Sequence, residues 1–317
     1  MKRFIFYTLA LFIFFGVGMF VFFYRENSSN LDVDSPIPDF LNKEKNSQVS
    51  SIDIWSPILQ KFFSSNNTPE ISAKSALVYD LTDGKVLYEK NAREKLPMAS
   101  LTKIMTAIVA MDHKRSDDMY NVYPESLVGE NVMGLTSGEI LSLNELLHGL
   151  VLNSGNDAAE VIASNTMNRT DFIKAMNDKA KSLGLKDTNF TNPSGLEGEG
   201  NQYTTSYDLL VITKYALNNY PEFAEVVSTP EYHMPATEEH KAYDLYNETN
   251  LLTSYPGVKG VKDGFTDEAG LCLVTYLDYK DHKIIGVILG SQNRRAEMKE
   301  LLDYSLSTQG IKPPPHS

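Results

Sequence analysis

Hydrophobic and polar positions divide this chain into three stretches. The first is an apolar run from Phe4 to Tyr24, uninterrupted by charge and preceded by Met1-Lys2-Arg3. As a helix it would be about 30 Å long, enough to cross a bilayer. The two cations ahead of it predict a cytoplasmic N-terminus, with everything beyond Arg25 outside, so that residues 1–25 form a membrane anchor. A cleaved signal peptide is the alternative, but the run is longer than an h-region and no clear small-x-small cleavage site precedes Tyr24-Arg25-Glu26. On either reading the remainder leaves the cytoplasm. The second stretch, residues 26–70, is polar and rich in Asn, Ser, Asp and Pro, the composition of a tether. Within it, Ile52 to Phe63 is a candidate amphipathic helix lying on lipid or on the domain that follows.

The third stretch, residues 71–309, has the periodicities of one folded domain, with 310–317 as a tail. Ala76–Asp80 and Lys85–Glu89 read as strands joined by Leu81-Thr82-Asp83-Gly84, whose Asp-Gly pair signals a hairpin. Ile104, Met105 and Ala107 to Ala110 are apolar almost all round, which predicts a buried helix entered near Ser100. Ser142-Leu143-Asn144-Glu145 is a capping box opening a helix to about Leu152. Asn153-Ser154-Gly155-Asn156 breaks that helix, and Asp157 opens the next. Further helices are predicted at Asp171 to Leu183, stopped by Gly184, and at Tyr207 to Leu217, stopped before Pro221. Strands return at Gly257 to Lys262, Leu271 to Leu277 and Lys283 to Leu289, and a helix from Arg294 to Ser307 closes the domain. Strands at both ends with helices between predict an α+β domain whose sheet is assembled from distant parts of the chain.

Composition narrows the function. A formal charge of −12 argues against nucleic acid as a partner. The single cysteine, Cys272, excludes an intrachain disulfide, and its apolar neighbours from Leu271 to Leu277 make it strand core rather than a catalyst. The six histidines show no metal-ligand spacing and no Gly-x-Ser-x-Gly partner, which disfavours a Ser-His-Asp hydrolase.

One pair does carry chemistry. Met98-Ala99-Ser100-Leu101-Thr102-Lys103 holds the only Ser-x-x-Lys in the chain. Three residues are nearly one helical turn, so the hydroxyl and the amine share a face. A lysine whose pKa is lowered by desolvation can take the serine's proton and make it a nucleophile. About one such pair is expected by chance in a chain this long, and most are solvated surface; the buried helix sets this one apart. Two further segments gather polar groups. Ser154-Gly155-Asn156 sits at a helix-to-helix break, where its plain reading is turn chemistry. Lys262-Asp263-Gly264-Phe265-Thr266 reads as the end of a strand entering a turn, and alone it would be a solvated strand end.

Together, Ser-x-x-Lys, Ser-x-Asn and Lys-x-Gly, in this order and separated by about fifty and about a hundred residues, resemble the serine penicillin-recognising enzymes. Within that superfamily the chain resembles the D-alanyl-D-alanine carboxypeptidases of peptidase family S11. The resemblance runs from about Ser75 to Ser307 and includes Asn192-Pro193-Ser194-Gly195-Leu196 and Gly264-Phe265-Thr266-Asp267-Glu268-Ala269-Gly270. It implies a β-lactamase/transpeptidase-like fold, a five-stranded antiparallel sheet flanked by helices beside an all-helical lobe. It implies that Ser100 attacks the carbonyl between the terminal D-alanines of a peptidoglycan stem peptide, with Lys103 as its base. Ser154 would relay a proton to the leaving amine, Lys262 would support it electrostatically, and Asn156 would bind the substrate's backbone amide. The N–H groups of Ser100 and Phe265 would form the oxyanion hole, at about 3 to 4 kcal/mol per donor. Gly264 and Thr266 complete the substrate-binding motif, β-lactams are implied as inhibitors, and no metal or cofactor is required. Many relatives carry a C-terminal β-domain and an amphipathic membrane helix; here the chain ends soon after the catalytic domain, and the anchor at residues 4–24 is expected to supply the attachment to the lipid bilayer.

Asp263 departs from the family pattern, which has Thr or Ser between Lys and Gly to help hold the substrate's terminal carboxylate. Two arrangements follow. Asp263 faces that carboxylate, opposing it by about 1 kcal/mol in a watery site and several in a drier one, with Thr266 as a substitute hydroxyl; or it pairs with Lys262 or a nearby arginine. The first arrangement motivates an alternative function, a wall-binding protein with weakened turnover. A β-lactamase is disfavoured because no glutamate motif for deacylation is recognisable.

Overall fold

The computed structural model describes residues 55, 57, 68–249 and 251–316. The apolar run at 4–24 and most of residues 26–70, including the candidate helix at 52–63 apart from Trp55 and Pro57, lie outside the described residues. Trp55 itself packs edge-on against Tyr79, with the Lys214 ammonium 3.7 Å above its ring.

Two strands open the domain, β1 (Ser75–Asp80) and β2 (Lys85–Lys90), joined by a turn in which Gly84 takes φ +69°. A 3-10 turn, Ala99–Thr102, runs directly into α1 (Lys103–Asp112). A short pair, β3 (Tyr120–Asn121) and β4 (Ile140–Leu141), precedes the helices α2 (Leu143–Leu152), α3 (Asn156–Thr166) and α4 (Arg169–Ser182). Then come α5 (Ser206–Asn219), α6 (Pro221–Ser228) and the hairpin pair β5 (Glu231–Met234) and β6 (Tyr243–Tyr246). One turn of helix, α7 (Leu251–Ser254), leads to β7 (Val258–Thr266), β8 (Gly270–Tyr279), β9 (His282–Ser291) and α8 (Arg294–Thr308).

The main sheet has the order β2-β1-β9-β8-β7 and every neighbouring pair is antiparallel. Its two faces follow from the two-residue period of a strand. Ala76, Val78, Leu273, Leu277, Ile284 and Ile288 form one core with Met298, Leu301, Leu302 and Leu306 of α8. Leu77, Tyr79, Val274, Ile285, Val287 and Leu289 turn the other way, into the core shared with α1 to α6. All six residues of β1 are therefore buried. Gly286 leaves room on the α8 face for Met298, whose Sδ lies 2.6 Å from where a Cβ would stand.

The predicted capping box is present: Ser142 Oγ accepts from Glu145 N, and the Glu145 carboxylate takes Ser142 N at 2.7 Å. Three differences from the sequence reading have physical causes. Ser100 lies in a 3-10 turn ahead of α1, not in the α-helix itself. Pro221, read as a stop, is also a start, since it stands in the first turn of α6, where its missing N–H costs nothing. And β7 does not end at Lys262. Asp263 and Gly264 are poor strand formers and hide the pattern, yet the ladder continues from Lys262↔Val274 to Thr266↔Gly270, so the third motif lies wholly within a strand.

Candidate active site

Where α1 begins beneath the free edge of β7, the three sequence segments meet. The 3-10 turn packs on β7, and Gly264 is what lets it: a Cβ there would stand 3.0 Å from Ser100 N and 3.2 Å from Ala99 Cβ. From the other side the Asn192–Leu196 loop presses in through Gly195, at φ +91°, whose absent Cβ would fall 2.1 Å from the Ala99 carbonyl oxygen. Asn192 holds that loop, its Oδ1 accepting from Gly195 N at 2.7 Å and its Nδ2 donating to Leu196 O at 2.8 Å. Ala99, at φ +49°, and Ser154, at φ +53°, both take left-handed backbone without being glycine, which costs on the order of 1 to 3 kcal/mol each.

Ser100 and Lys103 meet as the spacing predicts. Lys103 Nζ is 3.0 Å from Ser100 Oγ, 2.7 Å from Asn156 Oδ1 and 2.6 Å from the Ser194 carbonyl oxygen. Lys103 is 1% exposed, and burial holds its ammonium well below the ordinary lysine range, with the nearby Lys262 cation lowering it further. The three tetrahedral directions of the nitrogen are all taken, and in the neutral form that burial favours two N–H groups donate to Asn156 Oδ1 and the Ser194 carbonyl while the lone pair faces the Ser100 hydroxyl.

Asn156 opens α3, and its carboxamide spans the site, with Oδ1 on Lys103 and Nδ2 donating to the Glu130 carbonyl at 2.8 Å. One acceptor lone pair and one N–H remain free for a further partner. Ser154 is buried, two residues before it, and its hydroxyl has no hydrogen-bond partner among the described residues. Asp157, which the sequence reading used only as a helix start, accepts four backbone N–H groups: Met133 and Ala158 at 2.8 Å on Oδ1, Gly134 and Leu135 at 2.9 Å on Oδ2. It clamps the loop that leads from Glu130 and Asn131, and the Asn131 carbonyl in turn takes the Asn156 N–H at 2.8 Å.

Asp263 takes the paired arrangement. Lys262 Nζ donates to Asp263 Oδ1 at 2.9 Å, Arg294 Nη2 donates to Asp263 Oδ2, and Arg294 Nη1 donates to the Gly264 carbonyl. Burial pushes the Asp263 carboxyl up, but Lys262 and Arg294 outweigh it and hold it below the usual carboxylate range. Arg294 escaped the sequence reading because it lies at the start of α8, far from the motif along the chain. Ser194 acts through a carbonyl, which no side-chain pattern reveals. Thr266 Oγ1 accepts from Ala269 N at 3.1 Å and caps the β7–β8 turn.

These elements enclose a cleft of about 740 Å³ lined by Ser100, Glu130, Asn131, Asn156, Glu197 and Phe265 among others. Phe265 is 54% exposed at its rim. At the opposite end of the sheet Asp80, Asp83 and His282 lie close enough to share a cation, but Asp80 is already occupied by Thr82 N, Asp83 N, His282 Nδ1 and Gln309 Nε2.

A buried Ser–Lys pair under the edge strand of an antiparallel sheet, flanked by a helical lobe, defines the fold and site of the penicillin-recognising serine enzymes. Residues 63–293 match the family model of the S11 peptidases, described as D-alanyl-D-alanine carboxypeptidase, and the chain belongs to that family. It is 36% identical over 251 residues to the D-alanyl-D-alanine carboxypeptidase DacF of Bacillus subtilis, covering 76% of this chain and 64% of the relative. To DacC of Escherichia coli it is 33% identical, over 73% of this chain and 60% of the relative. The chain thus spans a little under two thirds of the length of these curated relatives. Among solved structures it is similar to a serine-to-alanine mutant of the Streptomyces K15 DD-transpeptidase, with TM-score 0.70, 29% identity, and 76% of this chain and 100% of that one covered. Penicillin-binding protein D2 of Listeria monocytogenes in its cefotaxime-bound form gives TM-score 0.66 at 29% identity, over 75% of this chain and 99% of that one.

Proposed function

We propose that this protein is a serine-type D-Ala-D-Ala carboxypeptidase that acts on peptidoglycan stem peptides outside the cytoplasmic membrane. The observation that carries the reading is the Lys103 amine, buried, depressed in pKa and 3.0 Å from the Ser100 hydroxyl. Lys103 takes the Ser100 proton as Oγ attacks the carbonyl of the penultimate D-alanine. The C–N bond breaks, the proton reaches the leaving amine through Ser154, and D-alanine departs. Water then hydrolyses the ester. Lys262 supports the transfer electrostatically, and Asn156 offers its remaining lone pair and N–H to the peptide backbone. The N–H groups of Ser100 and Phe265 receive the oxyanion, and Gly264 admits the nucleophile's backbone against β7. Thr266 shapes the far wall of the cleft. The intact Ser–Lys pair and the charge-balanced Asp263 favour turnover over a wall-binding role.

The relative bound to cefotaxime, and the same protein bound to ampicillin, support β-lactams as inhibitors here. The experiment is incubation of the full chain with a penicillin, followed by intact-mass spectrometry. One adduct is expected, absent from Ser100→Ala; an adduct that persists in the mutant refutes the assignment.

Residues 71–309 constitute the catalytic domain in this reading, and residues 4–24 hold it to the bilayer through the tether of 26–70. Among the described residues no helix is long and apolar enough to cross a membrane, and the 4–24 run lies outside them. Its apolar length and the Lys2-Arg3 flank support the anchor.

A further inference from the structure

Trp55 and Pro57 belong by composition to the tether, yet both are held by the folded domain. Trp55 is the only tryptophan in the chain and is half-buried. Its ring meets the Tyr79 ring of β1 edge-on at 5.6 Å between centroids, and the Lys214 ammonium of α5 stands 3.7 Å from its centre. Pro57 is buried, and its carbonyl oxygen accepts from the Tyr207 hydroxyl at 3.4 Å. Tyr207 and Lys214 are two turns apart on α5, so one helix face presents both. The Arg93 guanidinium, 3.9 Å from the Tyr207 ring centre, braces that ring in turn. Lys214 has no carboxylate and no hydrogen-bond acceptor among the described residues, and burial holds its ammonium below the ordinary lysine range. The face of an indole compensates such a cation without an anion. None of this touches the chemistry: neither β1 nor α5 contributes to the cleft lining, and β1 stands three strand spacings, about 14 Å, from β7.

We propose that Trp55 and Pro57 form a docking segment by which this chain clasps its own linker to the β1–α5 surface, so that the domain takes hold of the chain at residue 55 and not at 71. The surface fits this occupant group by group. Tyr79 offers a ring edge, Lys214 a cation for the indole face, and Tyr207 a donor for the carbonyl two residues on. With residues 4–24 in a bilayer, the docking sets the reach of the enzyme: the stretch left between run and domain is 26–54 rather than 26–70, and its fully extended span falls from about 160 Å to about 100 Å. The docking itself depends neither on the bilayer nor on the reaction at Ser100.

Because Trp55 is the sole indole, tryptophan emission reports on this residue alone. The test measures acrylamide quenching of the full chain in detergent and of a synthetic peptide of residues 50–60 in the same detergent. The quenching constant of the chain is expected to be lower by about threefold or more. Lys214→Met shifts the ratio of docked to released indole by about 2- to 30-fold toward release, and Lys214→Arg restores it. Lys214→Met combined with Tyr207→Phe brings the constant to that of the peptide. Trp55→Ala lowers Tm by about 2 to 8 °C. Penicillin acylation of Ser100 keeps its wild-type rate in each of these variants. A wild-type constant equal to the peptide's overturns the proposal and needs no variant. A double variant that keeps the low wild-type constant overturns it too, since another surface would then hold the indole, as does an unmoved melt in Trp55→Ala.

Discussion

Replacing Asp157 by asparagine tests how much of the site depends on a residue that never meets substrate. Its carboxylate, 2% exposed, accepts four backbone N–H groups, two on each oxygen. An amide has one acceptor oxygen, so whichever way it is turned two of those N–H groups face an NH2 instead. Hydrogen bonds to a charged group contribute about 1.5 to 3 kcal/mol each, so losing two costs about 3 to 6 kcal/mol. For a domain of this size that lowers Tm by about 6 to 24 °C. The loop freed by the change, Met133 to Leu135, adjoins the cleft wall of Glu130 and Asn131, so penicillin acylation of Ser100 should slow as well. Thermal melts by circular dichroism and stopped acylation reactions read both effects. Asp178→Asn, an exposed helix acid in an ion pair with Lys174, serves as the control and should leave the melt in place. An Asp157→Asn melt within about 2 °C of wild type would refute the reasoning, because it would show that the two bonds lost carry no net stability.

Three further outcomes follow from the site. Burial lowers the Lys103 pKa most and Lys262 lowers it further, against the opposing pull of Asp263, Asp157 and Glu248. Activity needs the neutral amine, so kcat/KM falls as pH drops through the folded pKa; Lys262→Met should move that acid limb to higher pH, and an unmoved limb would exclude Lys103 as the titrating group. The unfolded chain binds a proton at this lysine that the native state has released, so stability should rise with pH between the lowered value and the ordinary lysine range. Gly264→Ala puts a Cβ 3.0 Å from Ser100 N, and displacing the nucleophile's backbone by a few tenths of an ångström should slow acylation about 10- to 100-fold with Tm changed little. Acylation at the wild-type rate would show that the turn yields without cost.

The sequence revealed the Ser100–Lys103 pair because both residues lie within one turn, where spacing alone sets geometry. Helices α2, α4, α5 and α8 were legible to within a few residues, since caps such as Ser142 and stops such as Gly184 are local signals. The third motif was misjudged as a strand end because Asp263 and Gly264 oppose strand propensity locally, while the ladder to β8 that overrides it is long-range. Between the two arrangements open for Asp263, only the fold could decide, because its second partner, Arg294, arrives from α8. Asp157 and the Ser194 carbonyl went unnoticed for a related reason. The partners of Asp157 are backbone N–H groups and the Ser194 acceptor is itself a backbone carbonyl, and backbone groups carry no sequence signature.

The position of β9 has a consequence for how the site comes into being. Without it the sheet falls into two hairpins, β2-β1 and β8-β7, with nothing pairing one to the other. The nucleophile's turn follows the first hairpin along the chain, and Lys262 belongs to the second. β9 contributes no residue to the cleft lining, yet it is the keystone that brings the two halves into register. Its residues lie more than 180 positions after Ser100, so as the chain is extruded the nucleophile waits for most of the domain to arrive before it has anything to work beside. A chain that has not yet delivered residues 282–291 has not paired the two hairpins, so Ser100 and Lys262 come together only once β9 is in place.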